Sequence, residues 1–347
     1  MSSSASLTAA NLPWIRNSHF DLGFIYGLLA LAALTGSTVL YFPNLFWPIL
    51  TLDLWFLGYH HVISTYTRIC FDRKSFAENG RLIYGLLPAV AIGTMLVAWQ
   101  FGVWVIVSTY FYWQWWHYTR QSWGISRAYR SKDRNQLYED GWLDQAIFYA
   151  LPVLGILDRS NQNPGTFITF DLWSVPVAGV IVQLAWFLTI PLLLAWLWRR
   201  WTAWRQGRLA IVHTLYMLSH FGIFALGYLV ISDVTIGWLV INIWHNAQYI
   251  LFVWMYNSRR FKDGIDPQAR FLSYISQPGR LWLYLISCVA ITGMVYIGII
   301  GTMEWLFYAG LSATIIVYQI VNFHHYVVDS MIWKVRKPQF RETLGIN

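Results

Sequence analysis

The residues best suited to chemistry in this chain are its histidines. There are nine, and all but His19 fall inside long apolar stretches: His60, His61, His117, His213, His220, His245, His324 and His325. An ionisable ring in such a stretch is costly to hold in lipid and is usually functional. Neutral imidazole suits iron, copper, zinc and nickel. Several histidines converging from different helices are also how a helix bundle builds a metal site. The competing reading is that neutral histidines hydrogen-bond between helices. The two cysteines, Cys70 and Cys288, lie in different apolar segments. Two thiols make no thiolate cage, so a metal here takes nitrogen and oxygen ligands.

Spacing refines the set. Neighbours on a helix point about 100° apart, so the doublets 60–61 and 324–325 cannot aim both rings at one point. One ring of each pair is expected to bind metal, while the other hydrogen-bonds or serves a second ion. His325 and Asp329, four residues apart, share a face. Asp329 is expected to hold the far side of that imidazole or to ligate directly. His61 with Thr65, His117 with Gln121, and His245 with Asn242 and Tyr249 repeat the arrangement of a ring and a polar residue one turn away. His213 and His220 share a face as well, although His213 lies nearer the helix end. Asp53, seven residues before His60, reads as a proton relay or outer-shell group, or as a first-turn residue near the outer surface.

The elements that must carry these residues are membrane helices. The sequence is 57% hydrophobic and 12% charged, with a mean hydropathy of +0.43. That composition indicates an all-α, polytopic membrane bundle. A β-barrel would show short alternating segments instead. Ten transmembrane helices are expected, roughly at 22–42, 47–70, 82–99, 103–124, 143–158, 174–198, 209–231, 235–257, 281–301 and 305–333. Pro152 suggests a kink or a re-entrant segment in the fifth, and the last is long enough to end along the interface. Residues 1–21 read as a loose lead, 22–333 as one membrane domain and 334–347 as a basic tail.

Charge supports the count. All but one of the 24 basic residues lie on alternate loops, the exception being Arg159. The positive-inside rule then places both termini in the cytoplasm. The histidines fall toward that same side. His117 is three residues from Arg120 and His61 seven from Arg68, while His220 and His245 lie deeper. The net charge of +8 is accounted for by topology and by anionic lipid headgroups. Short loops without a soluble basic domain argue against nucleic acid.

Aromatic side chains surround two of the histidines, in "YFYWQWWHYTRQSWG" (110–124) and "NIWHNAQYILFVWMY" (242–256). Interfacial belts explain many of them. Flat walls also suit a long apolar or conjugated ligand, with Trp244 among the candidates and Arg68 or Arg120 as anchors for a polar head. No phosphate loop, nucleophile elbow or H-E-x-x-H is present.

Four stretches, "YHHVISTYTRICFD", "QWWHYTRQSWG", "WHNAQYILFVW" and "NFHHYVVDSMIW", resemble those of the bacterial membrane dioxygenases of the Brp/Blh type. Members of that family cleave β-carotene to retinal at a histidine-bound ferrous iron among membrane helices. The resemblance implies a multi-pass protein of the bacterial cytoplasmic membrane that uses O2 on an isoprenoid, carotenoid or other lipid-like substrate. It also implies iron ligands at His60 or His61, His117 and His245, with His325 and Asp329 matching a late H-x-x-x-D. The family has Gly and then Asp after its first histidine, where His61 and Ser64 stand here. It has a second histidine where Tyr249 stands, which makes Tyr249 and Asp329 the candidate catalytic groups. The extra histidines leave one or two irons open, with an electron donor as a further partner. Membrane hydroxylases and desaturases with two irons are the nearest alternative, although their H-x-x-H-H boxes are missing. A b-type haem protein and a non-catalytic transporter are the others.

Overall fold

In a computed structural model the described residues are mostly helical, and helix accounts for most of the described residues in each of the ten expected segments. The structure describes residues 12–133, 135, 141–306, 313–334 and 337–346. The long helices are α1 (Ser18–Tyr41), α2 (46–70), α3 (Arg73–Phe101), α4 (Val103–Lys132), α5 (Gly141–Gln162), α6 (Gly179–Arg205), α7 (Ile211–Val230) and α8 (Val234–Arg260). The short α9 (Arg270–Ile275), then α10 (Leu281–Leu306), α11 (Ala313–Ile332) and the short α12 (Pro338–Leu344) complete the chain. A two-stranded antiparallel hairpin, β1 (Thr166–Phe167) with β2 (Phe170–Asp171), links α5 to α6.

Local signals set the boundaries. Asp72 caps α3 by accepting from the Lys74 and Ser75 amides at 3.0 and 3.2 Å. Asp233 caps α8 through Thr235 and Ile236, both at 2.8 Å. Gly102, at φ +94°, separates α3 from α4.

Among the described residues, α1, α3, α6, α7 and α10 are long and apolar enough to cross a membrane. The helices carrying most of the histidines, α2, α4, α8 and α11, are not among them. They sit inside, where packing against protein tolerates polar side chains. Nearly all of α8 is buried, with α1, α2 and α7 packed around it. In α3, α6 and α10 most of the apolar surface faces outward.

Part of the expected lead belongs to the fold; residues 1–11 lie outside the described residues. Trp14 and Ile15 are buried. Buried Asp21 accepts from the Ile15, Arg16 and Asn17 amides and from Tyr129 Oη at 2.6 Å. In the expected tail, Phe340 of α12 stacks on Tyr256 at 5.5 Å. Residues 307–312, inside the last expected span, also lie outside the described residues.

Two irregularities of helix geometry matter below. Among the described residues, four long helices contain a π-helical turn, at Gly23–Gly27, Leu54–Gly58, Leu82–Leu86 and Leu226–Val230. A π turn widens the i→i+4 ladder and leaves a carbonyl short of its usual partner. The second is Pro152. It neither ends α5 nor makes it re-entrant, because α5 runs unbroken to Gln162. Proline lacks the amide that would have reached the Phe148 carbonyl, and His220 Nε2 serves that carbonyl instead at 3.1 Å.

Candidate metal centre

Four inner helices each place one imidazole at a common point: His61 from α2, His117 from α4, His245 from α8 and His325 from α11. Their ring centroids form a closed quadrilateral. The sides are 4.5 Å (61–325), 5.0 Å (325–117), 5.2 Å (117–245) and 5.4 Å (245–61). Two groups have potential ligand atoms within 4.8 Å of one another: His61, His117 and His245, and His117, His325 and Asp329. All five side chains are buried.

Hydrogen bonds fix which nitrogen faces inward. His61 Nδ1 donates to the Gly58 carbonyl at 2.7 Å, in the π turn of its own helix. A carbonyl only accepts, so the proton is on Nδ1 and the Nε2 lone pair points to the centre. Thr65 Oγ1 donates to Asp329 Oδ1 at 3.0 Å and takes His325 Nδ1–H at 2.9 Å. Assigned from these partners, His325 also turns its Nε2 lone pair inward. The two Nε2 atoms are 3.0 Å apart. Two lone pairs at that distance repel unless a cation sits near both. Two imidazole nitrogens at right angles around an ion, each at about 2.1 Å, are about 3.0 Å apart.

The remaining donors point the same way. Nε2 of His117, Nε2 of His245 and Oδ2 of Asp329 are buried and without hydrogen-bond partners. Buried polar atoms are rarely left so. Leaving them unmatched is costly, and an ion held by either group would match two of the three. Imidazole nitrogens with one carboxylate form a donor set suited to iron and its neighbours.

A second layer holds this arrangement. Asp329 Oδ1 also accepts from Tyr249 Oη at 2.8 Å, and Tyr249 Oη accepts from Trp333 Nε1 at 2.8 Å. Thr65 and Tyr249 hydroxyls lie against each other. Tyr326 stacks on His117 at 4.2 Å and Tyr118 lies on His245 at 4.0 Å. Asp53 is buried rather than at the surface. It accepts from Asn242 Nδ2 at 2.6 Å, and Asn242 Oδ1 accepts from Tyr118 Oη at 2.5 Å, which links Asp53 to the ring beneath His245.

No known family model, curated protein or solved structure matches this chain. The site therefore stands on its own geometry.

The other four candidate histidines are not brought into either group. His60 points away from its neighbour, toward Tyr284 at 6.5 Å, with Nδ1 on the Phe56 carbonyl at 3.1 Å. Its Nε2 is buried and unpartnered. His324 uses both nitrogens, with Tyr66 Oη at 2.6 Å and the Leu82 carbonyl at 2.8 Å. His220 does the same with Ser122 at 3.0 Å and the Phe148 carbonyl. His213 Nε2 meets Ser126 at 3.0 Å. His213, His220 and His324 join helices, as the competing reading of the sequence allowed, whereas His60 bonds within its own helix.

A cavity of about 630 Å³ opens onto the site, with His117, Tyr249 and Asp329 among its lining. Trp113, Trp116, Trp123, Phe252 and Trp333 form aromatic walls. Trp244, expected as a wall, is fully buried against Phe224 instead. Sequence reasoning did not single out the stacked Tyr118 and Tyr326. Each directly follows a histidine of the cluster, and that adjacency was the available signal.

Proposed function

We propose that this chain is a membrane-embedded non-haem iron oxygenase acting with O2 on a lipophilic substrate. The observation that carries the reading is the convergence of four imidazoles from four helices, with buried, unpartnered donor atoms on His117, His245 and Asp329. The four resemblance stretches supply the four ligand histidines, which favours carotenoid, isoprenoid or lipid-like substrates. Iron bound there would supply the chemistry with O2.

The chain's own residues do the rest. Thr65 and the Gly58 carbonyl hold the His325 and His61 tautomers. Tyr249 and Trp333 keep the Asp329 carboxylate turned toward the ligands. The aromatic cavity orients an apolar chain beside His117 and limits water. Ten spans with both termini in the cytoplasm complete the proposal, from the segregation of basic residues.

One ion is favoured over two. His117 belongs to both ligand groups, and a neutral imidazole offers a single lone pair. An ion held through His117 in one group therefore leaves the other group without that ligand, which favours one ion per chain. Four rings 4.5–5.4 Å apart also leave no slot for a porphyrin.

Metal analysis of the purified protein tests this reading. We expect about one iron per chain, lost in His117→Ala and in His245→Ala. O2 uptake is expected only with a lipophilic substrate present. Iron near zero in the parent protein, or a Soret band, would overturn the proposal.

A further inference from the structure

The cavity over the site has a graded lining. His117, Tyr249 and Asp329 at its floor are buried. Its rim carries Arg120 and Arg127 of α4, both exposed, and Lys334 just past the end of α11. Among the residues lining the cavity Asp329 is the only acid, and it lies at the floor. The rim arginines have neutral partners. Arg120 Nη1 donates to Tyr149 Oη at 2.7 Å, and Arg127 sits 6.0 Å from the Trp123 ring.

A neighbouring polar recess of about 240 Å³ is built differently. There Asp72 and Glu78 are interleaved with the cations, and Asp72 pairs with Arg260 at 2.6 Å. Topology asks for basic residues on this face. It does not ask for three on one aromatic cavity whose rim, among the described residues, carries no acid.

We propose that the substrate is an amphiphile with an anionic head, bound by Arg120, Arg127 and Lys334, with its apolar tail reaching down to the metal centre. The inference rests on the proposed function and names the substrate class of that same site. Arg127 lies ten residues from His117, roughly 15 Å along the helix. The head is thus held at the rim while the bond to be oxidised lies deep in the apolar part. Desolvated on one side by aromatic rings, the rim cations attract an anion more strongly than free surface lysines do.

Two probes with one tail test this: geranylgeranyl phosphate and geranylgeraniol, with binding measured on protein in neutral-lipid nanodiscs without O2. We expect the phosphate to bind at least tenfold more tightly. That preference should disappear in Arg127→Gln/Lys334→Gln and persist in Arg205→Gln/Lys262→Gln, which removes two cations away from the cavity. Iron content is measured on each preparation to report an intact site. Equal affinity of the two probes in the parent protein overturns the inference. So does an equal loss of preference in both double variants, which would assign it to bulk surface charge. Either result leaves the iron reading standing, whereas absent iron with a retained phosphate preference would remove that reading alone.

Discussion

His61 and His325 each have a histidine beside them in sequence, and in both doublets one ring enters the site while the other turns to a different helix or carbonyl. The 100° step between helix neighbours makes that division legible in the sequence. Which ring turns inward was not legible there, because it depends on partners set by the fold, the Gly58 carbonyl in a π turn for His61 and Thr65 on another helix for His325. Thr65 makes the test at this scale. Its hydroxyl joins His325 Nδ1 to Asp329. Thr65→Val keeps the shape and removes that link, so every ligand remains but His325 loses its orienting partner. Metal affinity is expected to fall roughly 10–100-fold, as for other outer partners of metal-bound histidines. His324→Ala, which removes a ring bonded to Tyr66 and Leu82, should leave metal affinity unchanged and lower thermal stability. Competition with a chelator measures the affinity of both variants. Equal metal loss in the two would place His324 among the ligands.

At the scale of elements, buried side chains repeatedly bond to carbonyls in or beside irregular turns of the helices. Gly58 and Phe56 serve the first doublet, Leu82 serves His324, and Phe148, freed by Pro152, serves His220. Arg159 belongs to the same pattern. It is buried and donates to the carbonyls of Gly227 at 3.0 Å, Ser232 at 2.6 Å and Ile231. A cation at a helix C-terminus complements the dipole there, which explains the one basic residue on the other loops. Long apolar runs and the alternation of basic loops announced these helices, but nothing in the sequence announced the π turns. The α7–α8 crossing depends on two glycines. A Cβ at Gly237 would lie 2.1 Å from the Gly227 carbonyl oxygen. That contact is backbone and has no rotamer to escape into. Gly237→Ala should destabilise by at least the usual cost of overpacking, about 1–3 kcal/mol, and disturb the carbonyls that hold Arg159. Gly93→Ala, where a Cβ meets nothing within 4 Å, should be neutral or slightly stabilising. Thermal unfolding in detergent compares them, and similar midpoints would remove the close-approach argument.

At the scale of the molecule, composition made the helical class legible, while among the described residues five helices reach the length and apolarity of a span and the site helices do not. The reason is physical. Outer helices face lipid with apolar side chains on most of their surface, whereas α2, α4, α8 and α11 keep their polar residues against one another. Hydropathy is therefore weakest where the chemistry lies, and the ten-span arrangement rests on charge instead. That arrangement has a direct consequence for accessibility. Thr169, in the hairpin between α5 and α6, is exposed, as are Lys74 at the start of α3 and Lys262 just past α8. With ten spans and cytoplasmic termini, Thr169 faces outward and both lysines face the cytoplasm. In a Cys70→Ser background, where Cys288 is buried, a membrane-impermeant maleimide added to sealed right-side-out vesicles should label Thr169→Cys. Lys74→Cys and Lys262→Cys should label only after permeabilisation. If Lys74→Cys and Lys262→Cys labelled from opposite sides, an odd number of crossings would separate α3 from α8. The inner helices would then not all span, and the basic rim of the cavity would no longer share one face with the loops that define it.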